Sequence, residues 1–237
     1  MVAGLILAGG RAPGHSAPMA MACEECGRRY PAGGVVCRHD GQLLVPDPRL
    51  GQVVAEHRIT GLLRPHPVGA IYTVQAPDGT ERALVWYDRS VASDAVEADF
   101  VQALQALAKL KRHRHLPTIL AAGKVGEDPF VLYAPVEAPS LASARRWPPG
   151  RVAALGAALA RTLADAAERG VHHGALRPSC VYLLEGDRPR IEDFLVRQLG
   201  EVEDDEHPPW AYAAPEDDPD HPTEAGDVYA LGVMLYT

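Results

Sequence analysis

Gly170-Val-His-His-Gly-Ala-Leu-Arg-Pro-Ser-Cys-Val-Tyr-Leu183, Ile191-Glu-Asp-Phe-Leu195, Tyr212-Ala-Ala-Pro-Glu216 and Gly226-Asp-Val-Tyr-Ala-Leu-Gly-Val233 are the four segments whose order decides the fold of this 237-residue chain. The first segment follows an apolar helical pattern. Val152, Leu155, Leu159 and Leu163 recur at three- and four-residue spacing, which predicts a helix over 152–169. Gly170 stands where such a helix ends on a left-handed residue. The second segment sets Glu192 and Asp193 side by side before an aromatic ring, and the fourth opens an apolar helix on Asp227.

Upstream the pattern changes from helical to alternating. Ala70-Ile-Tyr-Thr-Val74 and Arg82-Ala-Leu-Val-Trp-Tyr87 flank Pro77-Asp-Gly79, a hairpin turn signal, and predict strands between His57 and Asp88. Phe100, Leu104, Leu107 and Leu110 predict a helix over 92–112, with Asp94 as a candidate N-cap. Two further strands are expected around 118–122 and 130–134. Strands first and helices later predict an α+β protein in two lobes.

The order and spacing of these segments resemble the signature set of the protein kinase superfamily, in its bacterial Ser/Thr form. The resemblance covers about 180 residues by order of motifs. It implies a β-rich N-lobe with its hinge over 57–137 and a helical C-lobe over 138–237, incomplete because the sequence ends inside the core helix of that lobe. It also implies where ATP, Mg²⁺ and the acceptor hydroxyl would be handled, and at most of these positions the residue has changed.

The glycine-rich loop of the family is matched by Leu63-Arg-Pro-His-Pro-Val-Gly69-Ala-Ile-Tyr72, where only Gly69 stands. Arg64 and His66 hold the first two glycine positions and read as solvated loop charges, able at most to touch a phosphate, while Pro65 and Pro67 remove two backbone donors. Val85 falls where the phosphate-binding Lys is expected, and Ala103 where its Glu partner belongs; a one-residue slip would place Gln102 or Gln105 there instead. Joint loss makes physical sense, because a buried charge without its partner is costly. In the catalytic loop Ala175 replaces the base, and Cys180 replaces the Asn that binds a second Mg²⁺, for which a thiol is a poor ligand. Arg177 keeps a positive charge near the loop's Lys position, and Asp193 is the one ATP-handling group left standing. Leu195 replaces the Gly of the metal-binding triplet.

The segment over 196–213 has no Ser or Thr but carries Glu201, Glu203, Asp204, Asp205 and Glu206, and Gly174 replaces the Arg that would read a phosphate there. Phosphorylation switching is lost on both sides. Ala214-Pro-Glu216 and Asp227 are scaffold residues of the resembled family. The resemblance therefore implies a catalytically impaired, pseudokinase-type module acting as a signalling scaffold or regulator, with Gly69, Arg177 and Asp193 as remnants of an Mg-ATP site. Its partner would be a protein, such as an active kinase or its substrate. The alternatives are a divergent Ser/Thr kinase that recruits Glu192 or Arg177, and a truncated product with no role.

Cys23-Glu-Glu-Cys26 and Cys37-Arg-His-Asp40-Gly41 form a second constellation. Zinc takes four tetrahedral ligands, and a pair two residues apart supplies one side. Cys23, Cys26 and Cys37 give three thiolates; the fourth ligand is Asp40, which has the better spacing, or His39, the commoner ligand type. The segment resembles the short zinc ribbons that precede some bacterial Ser/Thr kinases. A structural zinc would supply the folding energy of so small a unit.

These readings divide the chain into a leader or misassigned start over 1–21, with Met19 or Met21 as other starts; a zinc-ribbon-like segment over 22–44; a linker over 45–56 containing Pro46-Asp-Pro48; and the two lobes. A net charge of −8 argues against a general nucleic-acid or membrane-surface binder, although Arg28, Arg29, Arg38 and His39 lend the ribbon local positive charge. No apolar run reaches the roughly 20 residues that span a bilayer. Clustered rather than scattered cysteines fit metal binding in a reducing, cytoplasmic setting.

Overall fold

A computed structural model describes residues 19–66, 68–88, 108, 113–134, 138–144, 146–194, 208–218 and 221–236. Ala103, Gln102, Gln105, Leu195, Pro67 and the acidic run over 201–206 lie outside the described residues, as does nearly all of the helix expected over 92–112.

The first unit is a small antiparallel sheet of β1 (Met21–Ala22), β2 (Arg29–Tyr30) and β3 (Val45–Pro46), in the order β2-β1-β3. Two similar turns project from it. The Gly27 N–H donates to the Cys23 carbonyl at 3.0 Å, and the Gly41 N–H to the Cys37 carbonyl at 3.0 Å. Both glycines have positive φ, +73° and +75°, so each turn closes on a conformation that glycine adopts without Cβ strain.

The second unit is a six-stranded antiparallel sheet. Its strands are β4 (Val53–Val54), β5 (His57–His66), β6 (Gly69–Gln75), β7 (Glu81–Tyr87), β8 (Ile119–Val125) and β9 (Asp128–Tyr133), in the order β4-β5-β6-β7-β9-β8. The Pro77-Asp-Gly79 signal makes the β6–β7 hairpin: Ala76 and Thr80 pair across it, and Thr80 N–H caps on Asp78 Oδ1 at 2.8 Å. Because strand side chains alternate, β7 serves two cores. Ala83, Val85 and Tyr87 join the cluster that runs into the second lobe, while Leu84 and Trp86 join the outer cluster with Val54, Ile59 and Tyr72.

The second lobe is built on α1 (Pro149–Ala167), the hairpin β10 (Val181–Leu184) with β11 (Arg188–Ile191), and α2 (Glu224–Tyr236). α1 starts three residues before its expected Val152, and past its end at Ala167 the chain turns at Gly170, whose φ of +71° lets Val171 N–H return to the Ala166 carbonyl at 3.1 Å. Leu155, Leu159 and Leu163 are buried on its inner face, each contributing about 1.5–3 kcal/mol of apolar burial. A Cβ on Gly156 would come 2.6 Å from Leu235 Cδ1, so the small residue sets how closely α2 approaches.

The stretch 45–56 differs from the expected linker. It carries β3 and β4, and it buries Asp47, Arg49 and Val54. The reason is electrostatic. Asp47 accepts from Tyr72 Oη at 2.7 Å and Arg29 Nε at 3.2 Å, and Arg49 pairs with Asp88 and, at 3.1 Å, with Asp128. Charged partners on both sides hold the segment against the outer face of the sheet. No helix among the described residues is long and apolar enough to cross a membrane.

Candidate nucleotide cleft and metal centre

The catalytic-loop segment is anchored from below. Asp227, 4% exposed at the start of α2, accepts the backbone N–H of His173 at 2.7 Å and of Gly174 at 2.9 Å. His173 is saturated as a neutral ring. Its Nε2 donates to the Glu192 carbonyl at 2.9 Å, and its Nδ1 accepts from Ala175 N–H at 3.3 Å. Burial and the nearby Arg177 lower its pKa below the usual histidine value, against the pull of Asp227. The ring leans on Phe194, with centroids 4.7 Å apart. This framework fixes the loop and the Asp193 segment relative to each other.

Around Asp193 two partners converge from separate parts of the chain, His66 and Arg177. His66, at the end of β5, points Nε2 at Asp193 Oδ1 (3.3 Å); its Nδ1 accepts from Val68 N–H (3.4 Å), so the proton sits on the nitrogen facing the carboxylate. Arg177 places Nη2 3.6 Å from Asp193 Oδ2 and donates Nη1 to the Ala175 carbonyl at 3.0 Å. One residue away, Glu192 takes Arg64 at 3.1 Å and Arg190 at 3.4 Å. Burial alone would raise the Asp193 pKa, but His66, Arg64 and Arg177 outweigh it and hold the carboxyl well below the usual range. Glu192 moves the other way, raised by burial and by Asp193 beside it. The side chain of Asp193 is only 7% exposed and that of Arg177 only 2%. A pocket lined by Ile119, Tyr133, Glu192, Asp193 and Phe194 lies beside them.

Arg64 and His66 therefore differ from their expected role as solvated loop charges. His66 is buried, edge-on to Tyr87 at 5.6 Å, and Arg64 lies over the Tyr182 ring at 5.0 Å. The readable signal was complementarity: Arg64 and His66 appear in the segment that faces Glu192 and Asp193.

The remaining cleft positions are apolar or structural. Val85 is 4% exposed and pairs with Ile71 and Val131 across the sheet, inside the apolar cluster. Ala175 is 5% exposed, and Cys180 is fully buried with its Sγ donating to the Ala175 carbonyl at 3.5 Å. Gly69 has φ +148°, and a Cβ there would lie 2.1 Å from the Trp86 carbonyl oxygen. Close approach of β6 to β7 requires glycine at this position whether or not a phosphate ever meets it.

In the first unit, Cys23, Cys26, Cys37 and Asp40 bring one ligand atom each into a group no more than 4.8 Å across. Cys26 Sγ and Cys37 Sγ are 3.6 Å apart, and Cys23 Sγ and Asp40 Oδ2 are 3.2 Å apart. A tetrahedral zinc with thiolates at about 2.3 Å has sulfur–sulfur edges of roughly 3.8 Å, so the donor set and its span fit that ion. Supporting donors surround Cys37: His39 N–H at 3.4 Å and Tyr30 Oη at 3.1 Å, the latter free to donate because it accepts from Arg38 N–H. The Cys37 pKa is lowered; burial would raise it, but Tyr30 and the backbone donors prevail. The Cys26 thiol is pushed up to about 12, by desolvation first and its acidic neighbours next. His39 is exposed and lies outside the group.

No family profile matches the sequence, and no curated protein does. Solved structures do. The PknI kinase domain of Mycobacterium tuberculosis is 23% identical and covers 78% of this chain and 73% of its own, with a TM-score of 0.63. A cysteine-to-alanine variant of that domain gives 23%, 78%, 74% and 0.64. With the anchored loop, the six-stranded sheet and the Asp193 segment in place, the chain has the fold of a protein kinase domain.

Proposed function

We propose that this chain is a catalytically impaired, pseudokinase-type module that works by binding protein partners, as a scaffold or as a regulator of an active kinase. The observation that carries this reading is the state of Asp193. A kinase uses that carboxylate to hold the metal on the nucleotide phosphates. Here His66 and Arg177 fill its coordination directions from inside the protein. Ala175 offers no oxygen to accept a hydroxyl proton, Cys180 turns its sulfur toward a backbone carbonyl, and Val85 belongs to the core. Positioning, charge neutralisation and base catalysis would each need a separate repair. Glu192, the carboxylate a divergent kinase would recruit as base, is already engaged by Arg64 and Arg190. The ribbon is read as a structural zinc site held by Cys23, Cys26, Cys37 and Asp40.

The test is Mg-ATP binding by calorimetry and thermal shift, because a ligand that binds only the folded state raises its stability. No shift at millimolar Mg-ATP is expected. Binding that disappears in Asp193→Ala, together with phosphate transfer to a generic acceptor, would replace this reading with that of a divergent kinase.

A further inference from the structure

Asp47 sits between the cysteine cluster and the first lobe. Its side chain is fully buried, and each of its donors comes from a different place. Arg29 Nε reaches it from β2 at 3.2 Å, Arg49 N–H from the following turn at 3.1 Å, and Tyr72 Oη from the middle of β6 at 2.7 Å. Arg29 is also tied to the first metal turn. Its Nη1 donates to the Gly27 carbonyl, and Cys23 N–H donates to the Arg28 carbonyl at 2.9 Å. On the other side the contacts continue into the cleft. Arg49 pairs with Asp88, Asp88 N–H donates to the Val68 carbonyl at 3.0 Å, Val68 N–H meets His66 Nδ1, and His66 meets Asp193.

We propose that metal occupancy of the ribbon is coupled to the order of the first lobe through the Arg29–Asp47–Tyr72 contact. This rests on the reading of Cys23, Cys26, Cys37 and Asp40 as a metal site. The turn from Cys23 to Gly27 has two thiolates and little apolar core to hold it, with Cys23, Cys37 and Leu44 as its buried residues. Without the ion it loses its chief constraint. Arg29 then leaves Asp47, and a fully buried carboxylate keeps only neutral donors. A buried charge stripped of its partner is strongly unfavourable, so the sheet opens around Tyr72 to let water in. The ribbon thus acts as a removable cap on the outer face of the sheet.

Trp86 reports on this directly. Arg49 lies 4.2 Å over its ring, and its Nε1 donates to Asp128 at 2.9 Å. The experiment uses the full chain carrying Trp147→Phe and Trp210→Phe, loaded with Co²⁺ or Zn²⁺ and then stripped with EDTA. Metal content and the visible bands of thiolate-bound Co²⁺ are measured first. On stripping, Trp86 emission should shift to the red, and amides over 69–75 should exchange roughly tenfold faster or more, the scale of one lost buried polar contact. In Arg29→Met the same stripping should leave both signals unchanged, because the link is already cut. Tyr72→Phe, a milder change, should reduce the response by part. A chain that binds no metal overturns the metal reading and this proposal with it. A chain that binds one ion, shows the cobalt bands, and keeps Trp86 and the β6 amides unchanged on stripping overturns the coupling alone.

Discussion

Replacing Asp193 with asparagine distinguishes a carboxylate that waits for a metal from one that is part of the interior. A metal ligand awaiting its ion is held among groups that do not need its charge, so removing the charge is close to neutral for folding. In this chain the side chain of Arg177 is 2% exposed and lies 3.6 Å from Asp193, with His66 at 3.3 Å on the other oxygen. Asparagine keeps the shape and can still accept from His66, but it removes the negative charge that faces the buried Arg177 guanidinium. Breaking one partner of a buried pair costs about 3–5 kcal/mol. For a chain of this size each kcal/mol moves the melting midpoint by roughly 2–4 °C, so a fall of roughly 6–20 °C is expected. The assay is thermal and urea unfolding of the wild type, Asp193→Asn, Arg177→Met and the double variant, without nucleotide. The double variant should recover part of the loss, because neither charge is then stranded. Asp193→Asn at or above wild-type stability would refute the interior pairing and return Asp193 to the role of a free metal ligand.

Three further outcomes follow from the same structure. Gly69→Ala should destabilise the chain by about 1–3 kcal/mol or more through overpacking, since its Cβ would meet the Trp86 carbonyl at 2.1 Å; urea midpoints measure this, and a neutral result would mean that β6 can move off β7 freely. His173 has a lowered pKa because it is buried and beside Arg177, so the unfolded chain takes up a proton near pH 6.5 while the folded chain does not. Stability is full above that pH and should fall by about 1.4 kcal/mol per pH unit below it for this residue, a slope that His173→Gln removes. On the proposed reading, Ala175→Asp adds a carboxylate to the loop but no cation at Val85 and no free Asp193, so release of ADP from ATP should stay at the blank rate; measurable turnover would show that one base suffices.

The lobes were legible because their signals are local and repeated. Leu155, Leu159 and Leu163 mark the inner face of α1, Gly170 its end, and Pro77-Asp-Gly79 the hairpin, each by a rule that spans a few residues. The cysteine pairing was legible for the same reason, and the structure adds that Asp40 rather than His39 reaches the group. What was not legible depends on partners far apart in the chain. His66 and Asp193 are separated by 127 positions, and Arg49 and Asp128 by 79. No spacing rule announces that a loop cation will turn inward, or that a Pro-Asp-Pro stretch will be held down by charges on two other strands.

These long-range pairs also explain how the fold tolerates two adjacent buried carboxylates. Without partners from elsewhere in the chain, Asp193 and Glu192 would be adjacent unpaired carboxylates, and burial pushes both toward protonation. Arg64, His66, Arg177 and Arg190 surround them from the hairpin, the loop and β11. The carboxylates are thereby paired from within, and the pairs from Arg64 and His66 join the two lobes. A cleft neutral without its ligand has no electrostatic need of one. Pairs of this kind, made without any ligand, should therefore make the nucleotide-free form a stable and rigid one.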